Sequence, residues 1–188
     1  MPEPRLTVLG IAGSLRRQSY NRGLIAAARE IAPDGMAIET ADLTPIPLYN
    51  ADVEAQGDPP PVAALKSQIA AADALLIATP EYNHLLSGVL KNAIDWASRP
   101  VAETALRHKP VAIMGASGGL AGTARAQLAL RQVLTAIGCY VLPGPQVLVP
   151  SARERFDAEG RLTDDRVREQ IRALLDALRE WVNRLRPR

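Results

Sequence analysis

The chain has 188 residues, 47% hydrophobic and 22% charged, with a formal net charge of +2: enough to bury a continuous core, and ordinary for one globular domain spanning 1–188. So small a charge gives no argument for nucleic acid, although 19 of the 22 basic residues are Arg, a set suited to forked contacts with anions. The single cysteine, Cys139, excludes an internal disulfide and a cysteine-only metal site within the chain, and no metal is expected.

In chain order, "LTVLGIAGS" (6–14) is an apolar run ended by Gly and Ser, as in a strand covered on both faces. Asn21 is placed to cap a helix through "RGLIAAAREIA" that stops before Pro33 and Gly35. "MAIETADL" (36–43) alternates as a second strand. The five prolines of "TPIPLYNADVEAQGDPPP" (44–61) then predict a long irregular loop. Helix "VAALKSQIAAA" leads to a third, buried strand, "DALLIATP", and "SGVLKNAIDWAS" forms the next helix. "KPVAIMGAS" is a fourth strand and "GTARAQLALRQVLTAIG" a further helix. "CYVLP" and "QVLV" supply a fifth strand or a broken pair, with Cys139 read as a buried structural thiol. In the closing helix, Val167, Ile171, Leu174, Leu175, Leu178, Val182 and Leu185 share one stripe, with Thr163 or Asp164 as its cap. No stretch is long and apolar enough for a membrane span and the first residues lack a signal-peptide pattern, so a cytoplasmic protein is expected.

Strictly alternating strands and helices predict a three-layer α/β fold with a parallel sheet. Five strands suit the flavodoxin-like order 2-1-3-4-5, with a Rossmann order as the alternative. In both, ligands bind beyond the carboxyl ends of the strands, which directs attention to the loops after strands one, three and four.

The first of these, "GIAGSLRRQSYN" (10–21), lies within a stretch without a carboxylate between Glu3 and Glu30. A helix N-terminus there, with unpaired N–H groups and a favourable dipole, suits a phosphate. Gly13 is read as a turn residue, Ser14 and Ser19 as hydroxyl donors, Arg16 as a charged fork, and Asn21 as a cap or donor. The loop lacks the Lys-Ser/Thr pair of a triphosphate-binding loop and is not GxGxxG. The second, "TPEYN" (79–83), offers a stiff Pro80, the flat Tyr82, and peptide groups around Glu81 and Asn83 for a ring bearing donors and acceptors. The third, "GASGGLAGT" (115–123), lets backbone approach a flat ligand at Gly118, Gly119 and Gly122, with Ser117 as donor. The three loops would converge at one end of the sheet.

"GSLRRQSYN" followed by "PEYNHLLSGVLKNAIDW" resembles the NADPH-dependent FMN reductase family, which includes bacterial quinone and chromate reductases; "SGGLAGTARAQLALRQVL" is similar to the family's third loop and following helix. The likeness covers about residues 6 to 145. "HLLSG" departs from the small residues and Pro more usual there, which bears on substrate preference. The resemblance implies a flavodoxin-like fold with non-covalent FMN. Ser14, Arg16, Ser19 and Asn21 would hold its phosphate, Pro80, Glu81, Tyr82 and Asn83 would line its ring, and Ser117 with Gly118 would complete the ring site. It also implies NADPH or NADH as co-substrate and a homodimer or homotetramer.

The expected activity is a ping-pong transfer of hydride from NAD(P)H through FMN to a quinone, free flavin or an oxidised acceptor such as chromate. No protein nucleophile is needed, and no Ser-His-Asp or Cys-His set is apparent; the two histidines are His84, in the second loop, and His108. The alternatives are a one-electron flavodoxin-type carrier, a non-catalytic flavin-binding regulator, and a hydrolase or phosphatase on the same fold. The helix from Ser87 to Ser98 carries Val89, Leu90, Ala93, Ile94, Trp96 and Ala97, more apolar surface than one stripe requires. A symmetric dimer is expected to cover the remainder.

Overall fold

The computed structural model describes residues 6–186. The strands are β1 (Leu6–Ala12), β2 (Met36–Thr40), β3 (Ala74–Ala78), β4 (Pro110–Ala116), β5 (Tyr140–Val141) and β6 (Val147–Val149). The helices are α1 (Tyr20–Glu30), α2 (Ala51–Glu54), α3 (Pro60–Ala71), α4 (Gly88–Ala97), α5 (Ala124–Ile137) and α6 (Asp165–Leu185). Every strand pairing is parallel, in the order 2-1-3-4-5, with β6 continuing beside the far end of β4. The fifth strand is thus a broken pair, and the sheet is flavodoxin-like.

Two cores explain the unbroken apolar runs. Ala74, Leu76 and Ala78 of β3 face Leu24 and Ile25 of α1 and Ile171, Leu174 and Leu178 of α6. Leu75 and Ile77 face Leu65 and Ile69 of α3, Leu90 and Ile94 of α4, and Leu130 and Leu134 of α5. A strand with helices on both faces has no solvent side, so the two-residue alternation disappears. The α6 stripe is buried from Val167 to Val182, with Leu185 half-buried. Asp164, rather than Thr163, caps α6 by accepting from the Val167 N–H. Cys139 is buried, and loss of solvent pushes its thiol up to about 11. Among the described residues no helix is long and apolar enough to cross a membrane.

Three expectations need correction. The cap of α1 is Ser19, in extended conformation, while Asn21 lies inside the helix. Next, segment 44–61 is not wholly irregular. Asn50 caps the single-turn α2 by accepting from Asp52 N–H, and α3 already starts at Pro60, where the missing N–H of proline is no loss. The third concerns α4. Trp96 is fully buried within the chain, and its Nε1–H donates to Pro47 O at 2.9 Å. Asn92 donates to the same carbonyl and accepts from Tyr49 N–H, while the Tyr49 ring meets Trp96 edge-on at 5.1 Å. The proline-rich loop therefore covers the surplus apolar face of α4, and that face supplies no argument for a dimer.

Candidate functional site

The loops after β1, β3 and β4 meet beyond the carboxyl ends of their strands, around a depression of 310 Å³. Ser14, Arg16, Ser19, Asn21, Pro80, Glu81, Tyr82, Ser117 and Gly118 line it. Asn83 does not. It borders an adjoining open recess with Glu81, His84, Leu120 and Arg125. A wider groove follows the outer side of α1, shares Ser14 and Ser19 with the depression, and takes in Arg17.

The first loop is anchored by backbone, which leaves side chains available. Gly13 N–H donates to Ala78 O at 2.9 Å. The Ser87 hydroxyl donates to Gly13 O at 2.5 Å while accepting from Leu90 N–H, so one side chain caps α4 and pins the loop. Gly13 is required by closeness rather than by a turn: a Cβ there would lie 3.0 Å from Pro80 Cδ and 3.2 Å from both Leu90 Cβ and Ser87 Oγ. Sequence reading missed Ser87 as a positioning residue. Its only signal was a serine one residue before a helical pattern.

At the α1 N-terminus no acidic residue stands in the first turn, and the Ser19 side chain makes no cap hydrogen bond. The Ser19 residue is nevertheless 97% buried. Tyr20 and Asn21 N–H groups find no acceptor among the described residues. Unpaired donors, a buried hydroxyl and an acid-free loop make this terminus a candidate anion site. Arg16 is exposed and its guanidinium lies 4.9 Å from the Tyr20 ring centroid, a stacking contact that leaves its edge free.

Asn21 has a different task from the expected one. Its Nδ2 donates to Ala116 O and its Oδ1 accepts from Ala116 N–H, both at 3.0 Å. The buried amide thus staples α1 to the last residue of β4, with one N–H left over.

The second loop folds into a tight reversal in which Tyr82 and Leu85 exchange both backbone hydrogen bonds at 3.0 Å. Its central residues, Asn83 and His84, have φ of +50° and +67°, as two-residue hairpin turns require. This leaves Tyr82 more than half exposed at the rim. The Glu81 carboxylate turns away to the N-terminus of α5, accepting from Arg125 N–H at 3.0 Å and Ala126 N–H at 3.1 Å. The Arg125 guanidinium is 3.4 Å away, and His84 Nδ1 is 3.7 Å away. Burial raises the Glu81 pKa, but those two N–H groups and the guanidinium outweigh it and hold the carboxyl below its ordinary value.

In the third loop Gly118 and Gly119 have ordinary φ and open space where a Cβ would stand, which leaves room for a flat ligand. Gly122, at φ +55°, is the conformationally required glycine, and a Cβ there would lie 3.0 Å from backbone atoms of Leu148, Val149 and Pro150. His108, at φ +63°, is remote from the loops and stacks on Tyr140.

A doubly wound parallel sheet of order 2-1-3-4-5, with the loops after its first, third and fourth strands meeting around one depression, defines the flavodoxin-like class, whose ligands bind at that end of the sheet. Comparison with known proteins narrows that class. Residues 6–154 match the NADPH-dependent FMN reductase family. An NAD(P)H-dependent FMN reductase of Pseudomonas aeruginosa is 56% identical over 181 residues, 96% of this chain and 97% of the relative. An NAD(P)H:quinone oxidoreductase of Solanum tuberosum is 42% identical, covering 98% of this chain and 96% of the relative. Among solved structures, the flavoenzyme NAD(P)H:(acceptor) oxidoreductase FerB from Paracoccus denitrificans superposes with a TM-score of 0.86 at 34% identity, covering 95% of this chain and 98% of that one. The chain belongs to the NADPH-dependent FMN reductase family, and is an oxidoreductase working with FMN and NAD(P)H.

Proposed function

We propose that this protein is a cytoplasmic, single-domain quinone reductase that holds FMN in the 310 Å³ depression and works by a ping-pong cycle. The observation that carries the reading is the open anion site at the α1 N-terminus, facing two loops that leave room for a flat ring. The quinone reductase names of relatives at about 40% identity support the choice of acceptor. Ser14, Arg16 and Ser19 hold the phosphate, with the free N–H groups of Tyr20 and Asn21. Pro80, Tyr82 and the backbone around Glu81 flank the ring on one side, and Ser117 with Gly118 on the other. Bound FMN supplies the two-electron chemistry between nicotinamide and acceptor. The chain's part is to position the ring, keep carboxylates away from the phosphate, and offer N–H donors toward the ring edge. Free flavin and chromate are further acceptors of the same kind.

The oligomer expected for the family then uses a surface other than α4. Tyr82, Leu85, Leu120 and Leu128 are each more than half exposed on the loops and helix around the adjoining recess. They give a dimer an apolar contact beside the site. Light scattering of Leu120→Asp and Leu128→Asp checks this: both shift the protein to monomer if the surface is right, and neither does if it is wrong.

The experiment for the activity is an anaerobic titration of purified protein with NADPH. Flavin absorbance is expected to bleach in one two-electron step and to return on adding a quinone. Steady-state rates are expected to give parallel double-reciprocal lines. Slow or absent NADPH oxidation, with flavin bound, moves the assignment to the one-electron carrier or the non-catalytic regulator.

A further inference from the structure

A fourth segment, outside the three loops, reaches the depression. After β6 the chain crosses the carboxyl end of the sheet in a 3₁₀ turn, Ala152–Glu154. Two hydrogen bonds tie the turn to the third loop. Ala152 N–H donates to Ser117 O at 3.0 Å and Ser151 N–H to Gly119 O at 3.3 Å, with Ser151 itself left-handed at φ +48°. Arg153 is thereby brought to the wall that also holds Arg16 and Tyr20. These three residues line both the depression and the smaller hollow beside it.

The surrounding charges isolate Arg153. Arg155 pairs with Asp164 at 2.7 Å and Arg161 with Asp157 at 2.7 Å. Among the described residues neither Arg153 nor Arg16 has a carboxylate within ion-pair distance. An exposed Arg with no partner is ordinary by itself. Two of them bordering one cavity, beside an open helix N-terminus, match an anion of more than one charge.

Charge balance fits a phosphate monoester. A phosphate monoester carries about −1.5 to −2 at neutral pH, while one guanidinium and one helix N-terminus supply about +1.5 together. Arg16 and α1 alone leave such a group under-neutralised in its dianionic form; a second guanidinium completes it. We infer that Arg153 is a second arginine for the FMN phosphate, reaching it from the 3₁₀ turn beside Arg16, so that the site selects FMN over unphosphorylated riboflavin. This rests on the FMN reading given above.

The test compares Arg153→Ala, Arg153→Lys and the parent as full chains freed of flavin, titrated with FMN and separately with riboflavin by quenching of flavin fluorescence. Arg153→Ala is expected to weaken FMN at least tenfold and riboflavin less than twofold. Arg153→Lys should fall between the parent and the Ala variant, since an ammonium keeps the charge but not the fork. The FMN affinity of the parent should also fall more steeply with added salt than that of the Ala variant. Equal losses for both flavins would make Arg153 a packing residue and overturn the inference, as would no loss for either. An unchanged FMN-to-riboflavin ratio with a fallen NADPH-to-NADH preference would overturn it too, placing Arg153 on the co-substrate. A parent that binds FMN no more tightly than riboflavin, or binds neither, overturns the FMN phosphate reading itself, a result distinct from any difference between variants.

Discussion

Helices α1 and α5 both start at the carboxyl end of the sheet beside the depression, and both follow a glycine-bearing loop. Their N-termini carry the same partial positive charge, and the chain treats them in opposite ways. The α5 terminus is filled from within, because Glu81 reaches across from the second loop and accepts from two of its free N–H groups. The α1 terminus has no acid in its first turn and no side-chain cap. A helix end left open next to a buried hydroxyl and unpaired arginines is the feature on which the proposed phosphate site rests. The comparison shows why locating helix starts is not enough to find a site. What matters is which starts the protein has already neutralised.

The most direct way to erase this difference is to give α1 its own carboxylate. Ser19→Asp puts a negative charge where the phosphate would sit. At about 4 Å and an effective dielectric of about 20, two unit charges repel by about 4 kcal/mol. FMN affinity is therefore expected to fall by about three decades, while thermal unfolding of the flavin-free protein is unchanged or shifted upward, since Asp is a good cap. Retained FMN binding in this variant would break the assignment of the α1 terminus. Arg16→Ala is a milder form of the same test. It removes a charge-assisted contact of about 1.5–3 kcal/mol, or one to two decades in FMN affinity, read by fluorescence titration.

Asn21 separates the two roles a residue near the open terminus can have. Replacing it with Ala leaves the buried Ala116 N–H and C=O without partners, at a cost of about 1–3 kcal/mol in stability. Denaturant unfolding should report that loss in the flavin-free protein. A loss seen only with flavin bound would return Asn21 to the direct phosphate contact that the family resemblance implies.

Glu81→Gln addresses the filled terminus and has the smallest effect, about 1 kcal/mol of stability from the charge at the helix end. The sign of its pH dependence follows from the lowered pKa. The contribution is fully present above the ordinary glutamate range and is lost as pH falls through the lower folded value. The parent should lose this increment between those limits, and Glu81→Gln should lack it. FMN affinity should change little, because the carboxylate faces α5 rather than the depression.

Much of the candidate site could be read from local sequence. The acid-free stretch from Ser14 to Asn21, the "PEYN" turn and the Gly118–Gly119 pair each announce themselves within a few residues, and nine of the ten expected residues border one depression. Asn83 is the exception because the left-handed turn at Asn83 and His84 swings it to the next recess. Glu81 and Asn21 lie where expected, but with their polar groups engaged by the protein. Their partners are 45 and 95 residues away, beyond anything a local pattern encodes. The helix Gly88–Ala97 was misread for the same reason. Its apolar excess is real, yet the cover comes from Pro47, which is 49 residues before Trp96.

What the sequence determined by itself was the alternation of strand and helix, the two-sided burial of the strands, and the absence of negative charge around one helix start. These depend on backbone preference, the burial of neighbouring side chains and local charge, all of which act within a turn or two of chain. What only the tertiary structure decided was which polar groups are already satisfied, which loop covers α4, and that Arg153 arrives beside Arg16. Those outcomes depend on where the crossovers carry distant segments, and a hydrogen bond or ion pair becomes possible only after that packing has closed.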